Sequence, residues 1–301
     1  MPRPSPLPSS LRLDGFTVAE GRALGVTRRR MRAGDLETPF HGVRVRRGPM
    51  DARARAAAYA PKLRESEVLS HASALAVFGV WTPSRCTAAV HVMTFGPSER
   101  ARGAGVRGHE SEPGRVRRAH VGDIPIVHPA DAWCQLGEHL SVRELVLVGD
   151  ALVRRRNPIL TISDLHEAVQ RWSGRRGVQN LRGAVRLVRE RTDSYAETEL
   201  RMDALEAGLP EPEVNGAILD ENGRIVALGD LVFRRYKTAL EFDGEQHRAD
   251  NAQFARDVTR LDDVARLGWR LIRVTKADRG VARAAKLARV REALIDRGWR
   301  P

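Results

Sequence analysis

Cysteine is scarce in this chain of 301 residues, and its two cysteines, Cys86 and Cys134, stand far apart. Neither belongs to a CxxC pair or to the Cys/His spacing of a zinc finger, which excludes a cysteine metal site of that kind. Two lone thiols suit a reducing cytoplasm, where each is expected to pack as a small buried apolar group. Long apolar runs are missing as well. No stretch approaches the roughly 20 apolar residues that span a bilayer, so no membrane partner is expected. The proline-rich opening has no apolar h-region, which excludes a secretory signal and predicts a disordered tail over residues 1–14. His71, His91, His109, His120 and His128 include no helical i,i+4 pair such as HExxH, and they are expected in loops or a satisfied core, not as metal ligands.

Lysine is nearly absent: only Lys62, Lys237, Lys276 and Lys286 stand among the 51 basic residues. Arginine supplies the rest, and against 38 acids the formal net charge is +13. Such an excess favours a polyanionic partner such as DNA, because each neutralised phosphate releases condensed counterions. A genome biased toward arginine codons would leave the same excess, so charge alone does not decide.

Residues 15–50 read as a small winged-helix-like segment. Phe16–Leu24 predicts a helix entered at Thr17 and stopped by Gly25, Val26–Arg32 a second short helix, and Phe40–Arg46 a strand. Helix, glycine turn, helix and β-wing in that order resembles the N-terminal domain of AbiEi-type antitoxins. Only about eight residues separate Gly25 from Gly34, barely two turns at about 3.6 residues per turn, so the segment is a degenerate version. Arg28, Arg29 and Arg30 are candidates for DNA phosphate contacts, against the competing reading of a solvated basic face.

Residues 51–190 form a helical and β middle region without a catalytic constellation. Helices are expected over Ala52–Ala60, Val68–Gly79, Val142–Leu152 and Ile162–Trp172, with another beginning at His128. A strand is expected over Ala88–Met93, and the Gly-, Arg- and Glu-rich Glu99–Arg118 reads as an exposed loop.

From residue 191 onward the pattern changes. Ala196–Gly208 predicts a helix with a glycine stop, Ile225–Phe233 and Thr238–Asp243 two apolar strands, Asp250–Leu267 a long amphipathic helix, Trp269–Thr275 a strand and Lys286–Arg297 a closing helix. This is an α/β layer arrangement, a mixed sheet flanked by helices. Side chains alternate along a strand, so Glu241 and Asp243 share one face while Leu240 and Phe242 point to the core. A two-residue turn at Arg235-Tyr236 would set Asp230 opposite Glu241, with Cβ atoms about 4.5–5.5 Å apart. Two carboxylates at that range repel unless a cation sits between them, and Mg²⁺ (or Mn²⁺) prefers such oxygen ligands.

Asp230, ten intervening residues and Glu241-Phe-Asp243-Gly-x-x-His247 resemble the E-x-D-G-x-x-H signature of the DUF559 branch of PD-(D/E)XK nucleases. Ser194-x-x-Glu197-x-x-Leu-Arg201 is similar to that branch's leading helix. Arg256-Asp257-x-x-Arg260, with Leu267-Gly-Trp269 after it, resembles very-short-patch-repair endonucleases. The resemblance covers about the last hundred residues and implies a restriction-endonuclease-like fold over 191–301. It implies metal binding by Asp230, Glu241 and Asp243, and it places Asp243 where the general signature has lysine. It further implies catalytic roles for Glu197 and His247 and phosphate contacts from Arg256 and Arg260. Bland readings stand beside these: Ser194 and Glu197 form a capping box, and His247 caps the following helix. The implied activity is a Mg²⁺-dependent DNA endonuclease. The alternative is a non-enzymatic, antitoxin-type DNA-binding regulator with a degenerate nuclease fold.

Overall fold

The computed structural model describes residues 4–12, 14–243 and 260–301. The chain is a mixed α/β protein whose described residues form three sheets. It divides into two compact units, one of residues 1–152 and 159–187, the other of 153–158 and 188–301. Residues 15–50, set apart in the sequence, therefore share the first unit with most of the middle region.

In the first unit, β1 (Phe16–Thr17), β2 (Leu36–Glu37) and β3 (Val43–Arg46) make a small antiparallel sheet in the order β1-β3-β2. Helix α1 (Val18–Ala23) starts where expected, because Thr17 and Glu20 cap it reciprocally: the Glu20 amide donates to Thr17 Oγ1 at 3.1 Å and the Thr17 amide to Glu20 Oε2 at 2.6 Å. The second helix expected over Val26–Arg32 shrinks to one 3₁₀ turn at Arg30–Arg32. The tail expected to be disordered packs instead: Leu11 is buried with Phe16, Met31 and Leu36, and Leu7 lies against them. Apolar side chains among the prolines supply the contact that composition hides.

The larger sheet of this unit runs β6-β5-β4-β8-β7, with β4 (Glu67–Leu69), β5 (Val90–Phe95), β6 (Val106–Ser111), β7 (Arg118–Val121) and β8 (Ile124–Val127). Its helices are α2 (Ala52–Tyr59), α3 (His71–Ala76), α4 (Ser84–Thr87), α5 (Pro129–Gln135), α6 (Val142–Leu152), α7 (Ile162–Arg171) and α8 (Val178–Leu187). Two expectations fail here. Val68 and Leu69 are strand, not helix, because they pair antiparallel with Met93 and Val92; a short apolar run fits either period, and tertiary pairing decides. The expected loop over Glu99–Arg118 contains the edge strand β6. Edge strands need few apolar side chains, and Gly108 is required there: a Cβ would lie 2.2 Å from the Ala101 carbonyl oxygen.

The second unit carries a four-stranded mixed sheet in the order β12-β11-β10-β9. Its elements are α9 (Tyr195–Glu206), β9 (Glu213–Leu219), β10 (Ile225–Phe233), β11 (Thr238–Asp243), a helical stretch at residues 260–266 (α10), β12 (Arg270–Thr275) and α11 (Val281–Asp296). Strands β9, β10 and β11 are successively antiparallel, and β11 runs parallel to β12. On one face Leu231, Phe233 and Leu240 pack with Leu200 and Ala204 of α9 and with Leu287, Val290 and Leu294 of α11. On the other, Val232 and Ala239 pack with Val264 of α10. The two cores follow from strand alternation.

Because Leu240 is fully buried between hairpin and helices, Leu240→Ala is expected to cost about 2–5 kcal/mol of stability. Chemical denaturation of the full chain should show one transition moved to lower denaturant. An unmoved midpoint would mean that the hairpin does not pack on α9 and α11.

Candidate functional site

Hairpin register brings the acids together. Leu231 pairs with Leu240, the last pair of the ladder, and the residues just beyond it are Asp230 and Glu241. The expected two-residue turn is not used. It would need positive φ at Arg235, alone or with Tyr236, whereas Arg234–Tyr236 forms a 3₁₀ turn and within the connection Lys237 alone is left-handed, at φ 41° and ψ 45°. Register survives because the observed connection still sets Phe233 opposite Thr238, the pair that would follow Arg234 and Lys237 in the two-residue turn. By alternation Asp230, Glu241 and Asp243 share the face of Val232 and Ala239, beside α10.

Asp230 is half-buried and its Oδ2 accepts a 2.6 Å hydrogen bond from the Phe242 amide. Burial pushes its carboxyl up to about 7, helped by the charges of Glu197 and Glu241 and opposed by the Phe242 bond and Arg260. Glu241, 12% exposed, is gripped by Arg260, whose Nη1 and Nη2 donate at 2.5 and 3.0 Å; Arg273 Nε lies 3.8 Å away. Asp243 is half-buried and stands beside Thr275 of β12.

Glu197 is only 8% exposed. The Ser194 hydroxyl accepts from its amide at 3.2 Å, as a cap should. Its carboxylate takes the Asp193 amide, the Ser194 hydroxyl and Asn215 Nδ2, each within 2.9 Å, rather than the Ser194 amide of the capping box. Arg201, four residues on, is buried and lies 3.6 Å from Glu211. Arg155, unnoticed in the sequence, pairs with Asp193 through Nε at 3.0 Å and through Nη2. That bond, and then the charges of Asp193, Glu197 and Asp230, raise its guanidinium above the ordinary arginine value.

Other candidates fall elsewhere. Arg260 holds Glu241 rather than lying open to a phosphate. Arg28 and Arg29 are exposed on the first unit, while Arg30 is committed to Asp35 at 2.9 and 2.7 Å. His247 and Arg256 lie outside the described residues.

These acids suit an oxygen-seeking cation through one or two carboxylates, with water completing the shell as Mg²⁺ prefers. Like charges that lift Asp230 would be relieved by it. Among the described residues the acids do not draw together as a three-ligand group; the group that does, with ligand atoms within 4.8 Å of one another, is His71, His91 and His109 of the first unit. Burial holds His91 and His109 down to about 4 and lowers His71 as well. Sequence spacing gave no hint of this, since the pairing of β5 with β6 and the packing of α3 assemble them.

With Asp230 titrating near 7 when folded and at 3.8 ordinarily, the folded state keeps a proton that the unfolded chain has lost between those values. For this group, stability therefore falls as pH rises through that window. In EDTA, the stability of Asp230→Asn relative to the parent is expected to increase from about pH 4.5 to about pH 7.5. A difference that stays constant with pH would show that burial does not hold the proton on Asp230.

No family model and no solved structure matches the chain. It is similar to two proteins of Mycobacterium tuberculosis, "Uncharacterized protein MT2308" of strain CDC 1551 / Oshkosh and "Uncharacterized protein Rv2248" of strain ATCC 25618 / H37Rv. Each is 26% identical over 206 residues, which cover 68% of this chain and 73% of the relative.

Proposed function

We propose that the second unit is a metal-dependent endonuclease that hydrolyses DNA phosphodiester bonds. The observation that carries this reading is the gathering of Asp230, Glu241 and Glu197, the last two near enough to help lift the Asp230 carboxyl to about 7, at the end of the Leu231–Leu240 pairing. Carboxylates converge at such a cost where they serve a cation or a proton transfer. A helix-flanked mixed sheet with the acids on its central hairpin agrees with the restriction-endonuclease-like fold that the resemblance implies.

Asp230, Glu241 and Asp243 would hold Mg²⁺ or Mn²⁺, with Glu197 behind them. When bound, the cation supplies Lewis-acid polarisation of the phosphoryl oxygen. Asp230 would give up its proton when it takes the cation, and Asp243 orients the attacking water. Arg260, displaced from Glu241, turns to the phosphate with Arg155 and Arg273, which fix the backbone without reading sequence. His247 serves as acid or base, and Arg256 as a further phosphate contact. In the first unit, the short winged-helix-like segment adds contacts through Arg28 and Arg29. Cys86 and Cys134 are free and buried, which supports a cytoplasmic setting, and no helix among the described residues is long and apolar enough to cross a membrane.

A second reading is an antitoxin-type DNA-binding regulator. It is favoured by the arginine clamp on Glu241, which occupies a principal ligand, and by Asp243 standing in place of lysine.

Incubation of purified protein with plasmid and oligonucleotides is expected to give cleavage with Mg²⁺ or Mn²⁺ and none in EDTA. Asp230→Asn should abolish cleavage while DNA affinity holds or rises, because one negative charge leaves the phosphate's neighbourhood. Binding without cleavage by the parent would favour the regulator, and equal cleavage by parent and variant would point to a contaminating nuclease.

A further inference from the structure

The acid site makes no use of the first unit's histidine cluster. His71 begins α3, His91 lies on β5 and His109 on the neighbouring β6. Met93 pairs with His109 in parallel register, and His91, two residues earlier, shares its face. His91 Nδ1 and His109 Nε2 are 3.0 Å apart, and the rings of His71 and His109 stack with centroids 4.0 Å apart. His71 and His91 are buried and His109 half-buried.

Outer partners fix the rings. His71 Nδ1 lies 3.0 Å from the Ser70 hydroxyl, which leaves Nε2 as its ligating atom. The His91 ring bonds the Cys86 carbonyl, and its amide donates to Ser73 Oγ at 2.9 Å. In metal sites such partners set tautomer and ring orientation. The His71 backbone is left-handed at φ 49°, and its amide is held by Gln135 Oε1 at 2.8 Å. A non-glycine residue kept there by its neighbours is strained, and strain of this kind gathers at functional positions.

We propose that His71, His91 and His109 form a three-histidine site for a divalent transition metal, zinc first among them. Imidazole nitrogens select zinc, copper or nickel over magnesium or calcium. Nitrogens on a tetrahedral zinc, each about 2.0–2.1 Å from the ion, lie roughly 3.3 Å from one another. The 3.0 Å pair already meets that spacing, and the widest separation, at most 4.8 Å, is within reach of ring rotation. Three protein ligands leave a fourth position open, as in catalytic rather than structural zinc sites. His71 and His109 line a cavity of about 830 Å³ with Arg107, Arg175 and Glu138, so a solute can reach the ion and the arginines favour an anionic one.

Cobalt titration of untagged, metal-free, full-length protein tests this. One equivalent should bind with the intense visible bands of four-coordinate Co²⁺, and Zn²⁺ should displace it. His109→Ala should weaken binding by more than the roughly 10–100-fold that loss of an outer partner costs. His109→Cys should keep the ion and add a thiolate-to-metal charge-transfer band, which guards against a variant that fails to fold. His120→Ala and Asp230→Asn should leave the bands unchanged. A folded parent without the bands, their survival in His109→Ala, or a folded His109→Cys lacking the thiolate band would overturn the proposal.

Discussion

Everything about the second unit's chemistry depends on one pairing, Leu231 with Leu240. It buries both leucines against α9 and α11, and the same step turns Asp230 and Glu241 to the opposite face as neighbours. A slip of one residue would send the acids into the apolar core and the leucines toward α10, so core packing locks the acid geometry. The cost of that geometry falls on Asp230, whose charge is resisted by burial and by two other carboxylates. Arg260 offsets part of it by gripping Glu241 from α10.

The two polar clusters handle charge in different ways. Around Asp230 the chain gathers anions and meets them with arginines, so that on the proposed reading a phosphate or a cation would enter by exchanging partners. Around His71 the side chains are neutral and buried, and an ion would bring its own charge into a cavity lined by arginine and glutamate. Hard, oxygen-seeking cations and softer, nitrogen-seeking ones would sort between the clusters by ligand chemistry alone.

The hairpin was legible because strand alternation has a period of two and the apolar residues on either side of the turn admit one register. Its turn was misread, since nothing in Arg234–Lys237 marks Lys237 as the residue that goes left-handed. Strand β9 escaped notice because Asn215 and Gly216 interrupt its apolar run; Asn215 in fact serves Glu197, and a Cβ at Gly216 would meet Val232 at 2.9 Å. Arg155 and the three histidines carried no signal. Each reaches its partners through tertiary contacts that no local spacing encodes.

The short hydrogen bond from the Phe242 amide to Asp230 Oδ2 ties a titrating side chain to the backbone of the next strand. Whatever changes the charge on that oxygen changes the field felt by one amide proton. The ¹H–¹⁵N resonance of Phe242 thus becomes a built-in reporter, shifting as Asp230 gains or loses its proton and shifting again if a cation takes the oxygen. Its line would record the state of the carboxyl without a substrate, a label or a mutation.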